Sequence, residues 1–174
     1  MSAGEIEYAW SCRCCGRQYR TLPLDFAVDA PVYWRQLSEE ERKRAFLSSD
    51  VCVIGDDRFI RGCLEIPVRG REERLVWGVW TSLSEASLRR AHELWDAPEV
   101  PPDEPARFGW LSNELQAVYG VSTLNLKTAV RFRAGNLRPL IELEPSGHPL
   151  AREQAEGVTV DRVQEIAAAL LHRH

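Results

Sequence analysis

The sequence predicts an α+β fold, a mainly antiparallel β-sheet packed with three to four helices in one domain spanning residues 1–174. Three observations carry that prediction. Leu124, Leu126, Thr128, Val130 and Phe132 alternate with Asn125, Lys127, Ala129, Arg131 and Arg133, the period of a strand with one face in a core and one in water. Residues 51–54 and 59–68 flank Gly55-Asp56-Asp57, a hairpin signature. Helix-start signals fall between and after these strands, which suits helices packed on hairpins better than a βαβ alternation.

Taken in order, the chain opens with a Cys-x-x-Cys-Gly knuckle over residues 12–16, formed by Cys12, Cys15 and Gly16. Ser38 with Glu41 reads as a capping box, in which each side chain satisfies an amide the helix leaves unpaired. In the second hairpin arm Ile60, Leu64, Ile66 and Val68 share a face opposite Arg61 and Glu65. Residues 69–74 are polar with one glycine and form a connection. Residues 75–81 place Leu75, Trp77 and Val79 on one side and Val76 and Trp80 on the other, so this strand is expected to be central. Ser82 with Glu85 repeats the capping box, and Leu88, Ala91, Leu94 and Trp95 mark the helix stripe that follows. Pro98, Pro101, Pro102 and Pro105 exclude a helix interior or central strand from residues 97–107, and 107–111 is a candidate short strand. After the alternating segment, Gly135-Asn136 offers a turn and 140–143 a return strand. Residues 149–156 form a short helix with proline in its first turn and Gly157 as its stop. Thr159 then caps a C-terminal helix whose Val160, Val163, Ile166, Ala167, Leu170 and Leu171 lie on one side.

Composition narrows the function. A formal net charge of −4 disfavours a dedicated nucleic-acid binder. Residues 1–11 hold no cationic start followed by an apolar run, and the longest nearly apolar stretch, 166–171, is too short to cross a bilayer. A soluble, cytoplasmic protein is expected. Five cysteines, three of them crowded at Cys12, Cys14 and Cys15, make a poor disulfide framework and suit reduced thiols.

Four constellations could carry chemistry. The knuckle is half of a zinc site, since tetrahedral zinc takes four ligands. Cys52 and Cys63 would supply the second pair if the hairpin turned around Asp57-Arg58, with both packed as small core hydrophobes as the alternative. A redox Cys-x-x-Cys lacks its βαβ context. Lys127, Arg131 and Arg133, with Arg138 near, form a cationic row that would receive a carboxylate, a phosphate or an acidic protein patch; the alternative is a solvated strand face. His148 could serve as a general base oriented by Glu142 or Glu144, or simply cap the helix after it. His92 falls within a helix and His172 and His174 at the terminus, none with a partner at metal spacing. Of six tryptophans, Trp77 and Trp95 fit core positions. Trp10 and Trp34 have no obvious buried face and are candidates for a contact surface or homodimer.

The short motifs, read in order, resemble a known bacterial family. They run from Cys12-x-x-Cys15-Gly16 through Leu22-Pro23-Leu24, Ser48-Ser49-Asp50-x-Cys52-Val53-Ile54 and Phe59-Ile60-Arg61-Gly62-x-Leu64-Glu65. Trp77-Gly78-Val79-Trp80, Phe108-Gly109-Trp110-Leu111, Leu124-Asn125-Leu126-Lys127-Thr128 and Arg138-Pro139-Leu140-Ile141 follow, and His148-Pro149-Leu150-Ala151 ends the series. The set is similar to domain of unknown function 2199 over about residues 12–166. The resemblance implies no reaction, cofactor or partner. It also implies a histidine shortly after the knuckle, where this chain has Tyr19, so a Cys-Cys-His arrangement would be incomplete. The leading expectation is a non-enzymatic binding module for an acidic protein or small anion. The alternatives are a zinc-stabilised structural or regulatory protein and a hydrolase-type enzyme using His148.

Overall fold

The computed structural model describes residues 10–172. Strands β1 (Trp10–Ser11) and β2 (Gln18–Tyr19) form a small hairpin of their own. Then come β3 (Asp25–Ala27), α1 (Val32–Gln36), α2 (Glu39–Lys43), β4 (Phe46–Leu47), β5 (Val51–Ile54), β6 (Asp57–Pro67) and β7 (Arg74–Leu83). The remainder is α3 (Glu85–Trp95), β8 (Arg107–Trp110), α4 (Gln116–Tyr119), β9 (Lys127–Arg131), β10 (Leu140–Leu143), α5 (Pro149–Glu156) and α6 (Val160–Leu171). The main sheet runs β3-β7-β6-β10-β9-β8, with β5 on β6 and β4 on β5. Only β3–β7 and β6–β10 pair in parallel. The α+β class with a mostly antiparallel sheet is as the sequence predicts.

The sheet curls until its last strand meets β7 again. Thr81 bridges Leu111, the Ser112 amide donates to the Trp80 carbonyl at 2.8 Å, and the Trp110 amide donates to Ser82 Oγ at 2.9 Å. So tight a meeting needs glycine at the contact. A Cβ on Gly109 would strike the Ser82 carbonyl oxygen; where β6 meets β10, one on Gly62 would lie 2.8 Å from that of Pro139.

The main core joins Leu64, Ile66, Leu75, Trp77 and Val79 of the long hairpin to Ile141, Leu150 and the Val163, Ile166, Ala167 stripe of α6. Trp10 and Cys12 of the first hairpin belong to it too. A second cluster packs Leu88 and Ala91 of α3 on Ile60, Leu83 and Val130. A third, on the opposite sheet face, holds Cys52, Phe59 and Trp80 under Tyr33 and Trp34. Strand β7 therefore buries both faces.

Local signals held where the partners are a few residues apart. Ser38 and Glu41 form the full capping box, Thr159 caps α6 and Gly157 stops α5. Four expectations are corrected. There are six helices among the described residues, because α1 and α4 add single turns that no periodicity announces. The cap of α3 is Ser84, since β7 continues to Leu83 and Ser82 is spent on Trp110. The strand expected over 124–133 shrinks to Lys127–Arg131, because Asn125 adopts φ 63° and turns the chain. Finally, the β5–β6 hairpin turns at Gly55-Asp56, with Ile54 opposite Asp57. That register sets Cys52 opposite Phe59 and Cys63 opposite Gly78, so the two thiols never face each other.

Candidate metal centre

Ladder pairs Trp10↔Tyr19 and Ser11↔Gln18 close the first hairpin. Its turn is held by the Cys12 amide donating to the Arg17 carbonyl and the Gly16 amide donating to the Cys12 carbonyl, both at 2.8 Å. Gly16 takes φ 69°, a left-handed conformation that costs glycine nothing. The turn throws the sulfurs of Cys12, Cys14 and Cys15 together. Trp10 anchors the base: its ring stacks on Tyr19 at 4.8 Å and its Nε1 donates to the Thr21 carbonyl at 3.1 Å.

The fourth donor arrives from the other end of the chain. The buried stripe of α6 fixes that helix on the core, and His172 follows its last turn. Its Nε2 lies 3.2 Å from Cys12 Sγ and 3.4 Å from Cys15 Sγ, while Cys12 and Cys14 Sγ are 3.0 Å apart. All four donor atoms fall within 4.8 Å of one another. Tetrahedral zinc at about 2.3 Å from sulfur and about 2.0 Å from nitrogen separates its donors by roughly 3.5–3.8 Å. The donor set fits zinc in number and chemistry, and its separations, from 3.0 Å to no more than 4.8 Å, span that spacing.

Cys12 is buried and Cys14 and Cys15 are exposed. The hydrogen bond from the Cys14 thiol pulls Cys12 down to about 6, helped by the backbone amides of Cys14 and Cys15 and opposed by burial. The same bond pushes Cys14 up to about 11. Cys12 is therefore the more readily ionised of the pair, and a metal would displace the Cys14 proton on binding.

The metal ligands expected from sequence divide accordingly. Cys12 and Cys15 are in the cluster. Cys52, 0% exposed, is a core residue beside Phe59 and Trp80, and desolvation raises its thiol to about 11. Cys63 is half-buried, its amide donating to the Pro139 carbonyl. The expectation that His172 has no partner at metal spacing is overturned: the spacing is spatial, across 160 residues. The other terminal histidine, His174, lies outside the described residues. Tyr19 does not leave the site short, because the imidazole comes from α6.

The other candidates are engaged elsewhere. His148 caps α5, its Nδ1 accepting from the Leu150 amide at 3.0 Å. Its Nε2, which must then carry the proton, donates to the Ser122 carbonyl at 3.0 Å. Glu142 pairs with Arg131 at 3.0 Å and Glu144 with Lys127 at 3.8 Å, so neither orients His148. Lys127 and Arg131 do point outward, but the β9–β10 register crosses them with these acids. Arg133 Nε donates to the Arg138 carbonyl at 2.7 Å, and Arg138 pairs with Asp50. Trp10, expected on a contact surface, is 5% exposed and Trp34 is half-buried. Among the described residues the exposed aromatics are Phe46 on β4 and the pair Phe108 and Trp110, edge to face at 5.0 Å on β8.

Cys14, Phe108 and Trp110 went unassigned in the sequence. The crowding of three cysteines in four residues was the available signal for Cys14. Alternation about Gly109 could have placed Phe108 and Trp110 on one face.

A family model described as an uncharacterised protein conserved in bacteria, DUF2199, matches residues 11–158. All three cysteines fall inside that match and His172 falls beyond it. No curated protein and no solved structure matches the chain. No helix among the described residues is long and apolar enough to cross a membrane.

Proposed function

The chain belongs to the DUF2199 family of bacterial proteins, and from that premise, which carries no reaction with it, we propose that it is a zinc-stabilised protein whose Cys12, Cys14, Cys15 and His172 clasp the amino-terminal hairpin to the end of α6. The observation that carries this reading is the convergence of four donor atoms within 4.8 Å from opposite ends of the chain. Four protein donors leave zinc no open position, so the metal acts in stability and not as a Lewis acid. Reduced thiols as ligands suit a cytoplasmic protein.

Zinc that binds only the folded chain stabilises it by mass action, about 4 kcal/mol at a thousandfold excess over Kd. For a chain of this length that is roughly 8–16 °C in Tm. Native mass spectrometry is expected to find one zinc per chain, and a chelator to remove it and lower Tm by that order. A chain that carries no zinc after loading under reducing conditions sinks the reading.

A second reading, a contact surface for a protein partner, is favoured by the exposed Phe108–Trp110 pair, 56% and 41% exposed. Aromatics open to water beside a polar rim are characteristic of such surfaces. The cationic row contributes less than its sequence suggests, because Lys127 and Arg131 already hold acids. Pull-down with a Phe108→Ser/Trp110→Ser double variant is expected to lose partners that a Lys127→Ala/Arg131→Ala variant keeps. The reverse ordering would restore recognition by charge.

A further inference from the structure

We propose that the clasp is opened by hydroperoxide: two of its three cysteines are oxidised to a disulfide, the zinc leaves, and the hairpin is untied from α6. This rests on the zinc reading and adds regulation of the same site.

Access is the first observation. A structural zinc site is closed in its coordination, yet two of the three sulfur ligands here, Cys14 and Cys15, belong to exposed residues. Zinc binding keeps such sulfurs as thiolates, the form that reacts with peroxides. By contrast Cys52 is sealed in the core, out of reach of peroxide.

Proximity is the second. The Cys12 and Cys14 sulfurs are 3.0 Å apart, and all the donors lie within 4.8 Å. A disulfide needs about 2.0 Å, a movement within reach of side-chain rotation in one five-residue turn. A second thiolate is thus at hand to capture the first oxidation product before it goes further.

The chemistry balances with hydrogen peroxide as the two-electron oxidant. One thiolate attacks the O–O bond; an S–O bond forms, O–O breaks, and the departing hydroxide takes a proton to become water. The cysteine is now a sulfenic acid. A second thiolate attacks that sulfur; S–S forms, S–O breaks, and the second hydroxide leaves as water with another proton. Two thiolates, one peroxide and two protons give a disulfide and two waters.

Donor count is the third observation. The disulfide removes two of four ligands, and one thiolate with one imidazole does not hold zinc as the full set does. The stripe Val163, Ile166 and Ala167 keeps α6 on the core, so what opens is the contact between His172 and the cysteine turn. Oxidation and metal are mutually exclusive at this turn, which makes the tether reversible.

The experiment uses the full zinc-loaded chain, hydrogen peroxide and a chromogenic zinc chelator. One zinc is expected to be released per chain as two thiols disappear. Peptide mapping should find the new disulfide within residues 12–15, and a thiol reductant plus zinc should restore the starting state. Cys63→Ser should release zinc at an unchanged rate. Zinc that stays bound while peroxide oxidises free glutathione in the same solution overturns the proposal. So does release accompanied by sulfinic acid that reductant cannot reverse. A chain that never takes up zinc fails before peroxide is added, and that failure belongs to the metal reading itself.

Discussion

His172→Ala is expected to weaken zinc binding by about 100-fold or more. Apparent energies of about 10–16 kcal/mol for complete structural sites, spread over four donors, come to roughly 3 kcal/mol for each. Competition against a chromogenic chelator measures this directly. The fold should survive, because His172 follows the last turn of α6 and the core contacts of that helix lie at Val163, Ile166 and Ala167. Far-UV circular dichroism and the melting temperature of the metal-free forms should therefore coincide. Cys14→Ser should fall in the same range, while Cys63→Ser, a half-buried thiol outside the cluster, should bind as the wild type does. Unchanged affinity in His172→Ala would move the fourth ligand elsewhere, and the link between the chain ends would go with it.

Glu153→Ala is expected to cost about 2–4 kcal/mol, below the full penalty for a broken buried pair because its partner is part-solvated. The Glu153 carboxylate accepts from the Tyr119 hydroxyl at 2.8 Å and from Arg162 Nε at 2.6 Å. Tyr119 in turn accepts from Trp77 Nε1 at 3.2 Å, and Arg162 lies over its ring at 5.5 Å. Burial, and then the Glu153 charge, hold the Tyr119 hydroxyl far above the usual phenol range, so its proton is always there to donate. One carboxylate thus ties β7, α4, α5 and α6 together. Removing it leaves a buried hydroxyl without its acceptor and a guanidinium, 28% exposed, with only Glu165 at 3.3 Å as counter-ion. Glu153→Gln keeps an acceptor for one of the two and should lose about half as much. Urea denaturation at unchanged m reads both values. A loss under about 0.5 kcal/mol would mean that water replaces the carboxylate at no cost.

The two halves of the candidate site differ in how far the sequence exposes them. The cysteine turn is local: Cys12, Cys15 and the left-handed Gly16 sit within five residues, so spacing alone announces it. The imidazole is not. His172 reads as a terminal residue with no neighbour, and it reaches the cysteine turn only because the apolar stripe of α6 docks where it does. Cys52 and Cys63 erred in the opposite sense. They are plausible partners by composition, and the placement of one turn at Gly55-Asp56 separates them. Lys127 and Arg131 show the same limit for charge. Their outward direction follows from period two, but the acids opposite them depend on which residues of β10 pair with β9.

By itself, the sequence determined the class of fold, the strand faces, the helix caps at Ser38 and Thr159, His148 as the start of α5, and the thiol turn. Each of these is settled by partners within about four residues, or by a repeat that holds along one segment. Tertiary structure alone decided which cysteines meet, which acids pair with Lys127 and Arg131, and that Cys12 and His172 come together. Those outcomes depend on register and on buried contacts between segments far apart in the chain. No short window of residues contains that information.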